Sequence, residues 1–164
     1  MKTTLTRERL MELLDYDQDA GVFIRKVATA RSTKVGDIAG SKHICGYVEI
    51  ALEGKRYLAH RLAWLYVYGI FPVNLIDHVN GNRADNRISN LREASRSENA
   101  QNMRNAHDDN GSSGLLGVSK NGYGWQARIC LNGKQRYLGT FPTPQEANSA
   151  YLSAKREIHP FGNI

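Results

Sequence analysis

The chain has 164 residues, 41% of them hydrophobic, with 22 Lys plus Arg against 16 Asp plus Glu, a formal charge of +6. This length suits one ordinary domain or two small ones, and the charge favours an anionic partner. No run of 18 apolar residues occurs, so no transmembrane helix and no membrane partner are expected. The opening MKTTLTRERLMELLDYD is too charged for a secretory signal, and a cytoplasmic protein is the expectation. Cys45 and Cys130 lie far apart and outside any CxxC pair, which argues against a cysteine-based zinc site and for reduced thiols.

In chain order, Thr6 caps a short predicted helix to Leu14, with Leu10, Leu13 and Leu14 on one face. Asp19-Ala20-Gly21 turns into a strand from Val22 to Lys26, and residues 29–40 read as an irregular basic loop. Residues 46–52 alternate as a strand, Glu53-Gly54-Lys55 is a turn, and Arg56-Tyr57-Leu58 begins the return strand. His60 to Tyr68 has helical spacing, ended by Gly69, and Pro72 prevents its resumption. His60 itself reads chiefly as a half-buried residue at a helix start, with a contribution to the segment that follows as the alternative.

Residues 75–102, LIDHVNGNRADNRISNLREASRSENAQN, hold the most chemistry. Leu75-Ile76 leads as a strand into Asp77-His78, and Asn80-Gly81-Asn82 forms a tight polar turn. Residues 91–94 make a second strand. Ser95 and Glu98 form a capping box for a helix from Arg96 to about Arg104. Cutting a phosphodiester requires an activated water, neutralisation of phosphate charge and stabilisation of the leaving oxygen. A hard divalent cation on oxygen ligands serves the last two needs. Asp77 offers a charged oxygen, Asn99 a neutral one, and His78 titrates in the range suited to a general base. Neighbouring strand residues point to opposite faces, so Asp77 and His78 can share a site only if the strand ends there. Arg83, Arg87, Arg92 and Arg96 flank the segment and read equally as phosphate contacts or as a solvated basic face.

Residues 105–116, NAHDDNGSSGLL, mark a linker. Beyond it, residues 117–119, 124–131 and 134–141 read as three strands, with Asn121-Gly122 and Asn132-Gly133 as hairpin turns. Thr143 and Pro144 start a helix that carries Ala147, Ala150, Tyr151 and Ala154 inward. Trp125, Ala127 and Ile129 share one strand face, and Gln126, Arg128 and Cys130 the other; the pattern leaves open which face receives the helix. The positive excess is divided, +4 over residues 1–105 and +2 over 106–164, so any binding surface must come from folded elements.

The segment DHVNGNRADNRISNLR resembles the HNH nuclease motif, in the phage and intron-homing branch whose last His is Asn. Residues 55–104 carry the resemblance, with YLAHRLAWLYVYG similar to sequence that precedes the motif in phage proteins. The resemblance implies His78 as general base, Asn90 as the residue that braces the loop and orients the base, and Asp77 and Asn99 as ligands of one divalent cation, Mg2+ or Mn2+. Residues 115–161, through Gly117-Val118, Trp125-Gln126-Ala127-Arg128-Ile129, Tyr137-Leu138-Gly139-Thr140-Phe141, Glu146-Ala147 and Ala150-Tyr151, resemble the ethylene-response-factor type (AP2/ERF) of DNA-binding domain. That likeness implies DNA contacts from Lys120, Trp125, Gln126, Arg128, Lys134, Arg136 and Tyr137. Gln135 and Ser119 stand where arginines are common in that family, so no base preference carries over.

The expected fold is α+β: a ββα-metal nuclease core with an N-terminal hairpin and helix elaboration, then a small three-stranded antiparallel sheet packed on one helix. The expected organisation is a nuclease domain over 1–105 with its motif at 75–104, a linker over 106–116 and a DNA-binding domain over 117–164. The expected activity is cleavage of double-stranded DNA by a phage-encoded endonuclease of the homing or free-standing type. A single copy nicks; a monomer and a homodimer both agree with the sequence. The competing expectations are a non-catalytic DNA-binding regulator on the same fold and an RNA-directed nuclease.

Overall fold

The computed structural model describes residues 5–28, 32–103, 106, 113–131 and 133–159. It has the expected α+β composition, and its contacts divide it into two compact units, 1–94 and 95–164. The composition change lies further on, at 105–116, most of which is outside the described residues.

In the first unit, helix α1 (Arg7–Leu13) is capped by the Thr6 hydroxyl, which accepts from Arg9 N at 3.2 Å. Leu10 and Leu13 are buried. The chain passes straight into strand β1 (Leu14–Asp17), which pairs antiparallel with β2 (Val22–Arg25). Sequence reading misses β1 because LDYD looks polar; its alternation, Leu14 and Tyr16 in, Asp15 and Asp17 out, is short but clean. The segment expected to be irregular contributes β3 (Ile38–Ala39), and β4 (Ser41–Lys42) follows it, both two-residue strands too brief to show a period. Strands β1, β2 and β3 form one sheet. A second contains β4, β5 (Val48–Leu52) and β6 (Lys55–Leu58). Leu52 pairs with Lys55 across a two-residue loop, Glu53-Gly54, in which both φ values are positive (51° and 74°). This is the primed turn that matches strand twist.

Helix α2 (Ala59–Tyr68) buries Ala59, His60, Leu62, Ala63 and Leu65 and ends at Gly69, φ 82°. Strand β7 (Leu75–His78) then pairs with β8 (Leu91–Ala94) in a two-stranded sheet. Between them a 3-10 turn, Ile88–Asn90, replaces the expected irregular loop end. Ile76 and Leu91 join a core that runs through Leu10, Leu14, Phe23, Ile50, Leu52 and Leu62, so the site segment is anchored on the centre of the unit.

The second unit begins with helix α3 (Arg96–Gln101), whose capping box is present as expected. It ends at Asn102, short of the expected Arg104, which lies outside the described residues. Strands β9 (Val118–Asn121), β10 (Gly124–Leu131) and β11 (Lys134–Phe141) form an antiparallel sheet in the order β11-β10-β9, covered by α4 (Pro144–Ile158). Asn121 pairs with Gly124, so the first hairpin turns on Gly122-Tyr123, one residue later than Asn121-Gly122. In the second turn Asn132 is outside the described residues, and Gly133 has φ 77°. Ala127 and Ile129 are buried and Arg128 and Cys130 exposed, so the helix takes the Trp125-Ala127-Ile129 face.

On α4 the deepest residue of its third turn is Lys155, 1% exposed, rather than Ala154. Its ammonium donates to the Met103 carbonyl, which offsets the cost of burying it. Among the described residues no helix is long and apolar enough to cross a membrane. Both cysteines are free and exposed.

Candidate active site

The site segment is a polar loop that bonds to itself. Asn80 Oδ1 accepts from Asn82 N (2.8 Å), and Asn82 Oδ1 accepts from Ala84 N (3.1 Å). Asn80 Nδ2 donates to Asp85 Oδ2 (2.6 Å). These Asx turns explain why a stretch with so few apolar residues is nonetheless ordered. Asn90, 6% exposed, closes the loop from the far side. Its Oδ1 accepts from Asn80 N (2.9 Å), its Nδ2 donates to Asp85 O (2.8 Å), and its backbone carbonyl accepts from Val79 N (2.9 Å). One side chain thus spans both ends of the loop.

Asp77 and His78 are the last two residues of β7, and Gly81 N donates to His78 O (2.8 Å) directly afterwards. The strand ends where a shared site requires it to. Both side chains are buried. Asp77 lies opposite Arg92 in the β7–β8 register, and its Oδ2 accepts from Arg92 Nε (2.9 Å) and Nη2 (2.7 Å). Arg92 is therefore a partner of the carboxylate in this structure.

His78 is packed among three groups, Asn86, His60 and Tyr47, of which only His60 is weighed for the site in the sequence. Asn86, 2% exposed, donates from Nδ2 to Ala84 O (3.1 Å), which turns its Oδ1 toward His78 Nε2 at 3.4 Å. The His60 ring stands edge-on to the His78 ring, centroids 5.0 Å apart at 89°. Tyr47 lies 5.9 Å from His78 and 5.3 Å from His60. His60 was expected to be half-buried; it is almost fully buried, at 5%. No local spacing in the sequence signals that its helix start meets His78, since the contact joins α2 to the end of β7. Burial lowers the His78 pKa, against the opposing pull of Asn86, Asp77 and Asp85; Arg83 lowers it further. Burial also lowers that of His60, to about 3. Both rings are neutral at pH 7, so His78 has a lone pair with which to take a proton.

The remaining arginines are held differently from one another. Arg87 grips Asp85 with two bonds, Nε to Oδ1 (2.8 Å) and Nη2 to Oδ2 (2.6 Å). That pairing is the main cause of an Asp85 pKa of about 2. Arg83 donates to Cys45 O (3.0 Å) and covers the Tyr47 ring at 5.1 Å. Arg96 and Asn99 are exposed on α3, in the second unit.

Asp77, in the first unit, and Asn99, in the second, each offer an oxygen of the kind a hard cation takes. Among the described residues no group of three or more His, Cys, Asp or Glu side chains could hold a metal ion.

In the second unit, Arg128 pairs with Tyr137 and Gln126 with Thr140 and Ser119, which puts Gln126, Arg128 and Tyr137 together on the face away from α4. A bulge between Ala127 and Arg128 resets the alternation, so Arg136 lies opposite Ile129 and Lys134 opposite Leu131 on the other face. Lys120 pairs with Trp125 there, its ammonium 6.0 Å from the indole. The seven expected DNA contacts thus divide between two faces.

Residues 57–101 match the family model described as HNH endonuclease. Among solved structures, the chain is similar to one described as "DNA binding and cleavage by the HNH homing endonuclease I-HmuI", with 24% identity and a TM-score of 0.42 over 55% of this chain. The match spans 51% of that protein, about half its length. No curated protein matches the chain significantly.

Proposed function

We propose that the chain is a divalent-metal-dependent DNA endonuclease that hydrolyses phosphodiester bonds to 5′-phosphate and 3′-hydroxyl ends. The observation that carries this reading is the Asp77-His78 pair at the end of β7, followed by a loop braced through Asn90, all within the residues that match the HNH endonuclease model. His78, neutral and buried, takes the proton of the attacking water. Asn90 holds the backbone that follows His78, at Val79, Asn80 and Asp85. Asp77 and Asn99 would hold one Mg2+ or Mn2+ ion. When bound, such an ion supplies positive charge to the phosphate and to the departing 3′ oxygen. Arg83, Arg87, Arg92 and Arg96 add positive charge along the segment and favour a polyanion.

The second unit would bind double-stranded DNA in the manner of an ethylene-response-factor-type domain. Its three-stranded sheet with Gln126, Arg128 and Tyr137 on the face away from the helix supports that reading. Tethering it to the nuclease raises the effective concentration of the cutting site near bound DNA. A single copy supplies one centre, so nicking is the elementary event.

A second reading, a DNA-binding regulator that does not cut, is favoured by the pairing of Asp77 Oδ2 with Arg92. Supercoiled-plasmid nicking with Mg2+ or Mn2+ separates the two. The nuclease reading expects nicked circles from the wild type and a loss of at least about a hundredfold in His78→Ala, the scale of general-base catalysis. Equal cutting by both proteins refutes His78 as base; binding without cutting by both establishes the regulator.

A further inference from the structure

We propose that His60 and Tyr47 are positioning residues: a clamp of two rings that holds the His78 imidazole in one orientation for proton abstraction, a role that rests on the nuclease reading above. The three rings come from three places in the chain: the first turn of α2, the segment leading into β5, and the end of β7. They are mutually in contact, at centroid distances of 5.0 Å for His60–His78, 5.3 Å for Tyr47–His60 and 5.9 Å for Tyr47–His78. Each lies in the range of favourable aromatic geometry, and the edge-on pair at 89° is a preferred arrangement. The clamp is itself tied down. Arg83 covers Tyr47 at 5.1 Å and donates to Cys45 O, two residues before that ring.

The Asn86 contact to His78 Nε2 is long, at 3.4 Å. An imidazole, whose χ2 is broad by nature, takes part of its orientation from the rings packed against it. His60 Nδ1 has no hydrogen-bond partner among the described residues, so that ring is set in place by packing. A base displaced by about 1 Å loses about a hundredfold in rate, which is the effect the clamp prevents.

The test compares His60→Phe with His60→Leu in the full chain, by steady-state plasmid nicking with Mg2+ and by DNA affinity in EDTA. Both replacements fill an apolar site, but only Phe keeps a flat ring. The expected result is kcat close to wild type for His60→Phe and lower by about a hundredfold for His60→Leu, with KM and DNA affinity unchanged in both. Equal kcat for the two variants, or a change confined to KM, overturns the clamp. If His60→Leu fails to fold, Tyr47→Leu carries the same test, because Tyr47 is only partly buried; it too is expected to lose kcat without KM, and wild-type kcat there overturns the proposal. A wild type that does not nick, or a His78→Ala variant that nicks as well, removes the nuclease reading and the clamp together. Nicking that depends on His78 but is indifferent to His60 and Tyr47 removes the clamp alone.

Discussion

His60 shows how one buried side chain ties stability to acidity. Its pKa near 6.5 in an unfolded chain falls to about 3 in the fold, chiefly through burial. Between those values the unfolded state binds a proton that the folded state excludes. Stability is therefore fully present above pH 6.5 and declines as pH falls toward 3, at about 1.4 kcal/mol per pH unit for this group. His60→Phe removes the titrating group. Between pH 7 and pH 5 the wild type is expected to lose about 2 kcal/mol more than the variant in urea denaturation. Parallel curves would show that His60 is not held neutral. The slope left in the variant belongs to the other groups, His78 first, whose pKa burial also lowers.

Residue type proposes Asp77 and Asn99 as cation ligands, but it does not say what those side chains touch. Arg92 reads in the sequence as one more basic residue, and only the β7–β8 register sets it against Asp77.

At the scale of elements, the loop between β7 and β8 depends on a turn far away in sequence. Gly21, in the β1–β2 turn at φ 71°, packs so closely on this loop that a Cβ there would lie 2.4 Å from Arg87 N and 2.7 Å from the Asn86 carbonyl carbon. Tyr16, on β1, donates to Asn86 O at 2.5 Å. Gly21→Ala must move backbone, and it adds strain of about 1–3 kcal/mol from the left-handed conformation. The expected outcome is a lower urea midpoint, with amide exchange accelerated at residues 84–87. A variant as stable as wild type would show that the turn and the loop do not pack as described. The strands missed by sequence reading, β1, β3 and β4, are only two to four residues long. Their pairing partners are what make them strands, and periodicity cannot show a partner.

For the whole molecule, the +6 charge is distributed over both units, and no tail concentrates it. Binding should therefore arise from several separate phosphate contacts. Arg128, exposed on the sheet face away from α4 and bonded to Gln126 Oε1 at 3.0 Å, is the best placed in the second unit. Arg128→Ala is expected to weaken DNA binding and to lower the slope of log K against log salt by about one. An unchanged slope would remove that face from the interface. The division into units places α3 with the C-terminal unit, although the residues that match the HNH endonuclease model run through it.

By itself the sequence determined the local features: the capping box of α3, the turn at Glu53-Gly54, the helices α2 and α4 and the polar turn after Asp77-His78. Each follows from residue chemistry within a few positions, where backbone and side-chain preferences act directly. The tertiary structure alone decided which side chains surround the base and which sheet face the helix covers. Those outcomes join residues tens of positions apart, and burial and strand register, which no local pattern encodes, set them.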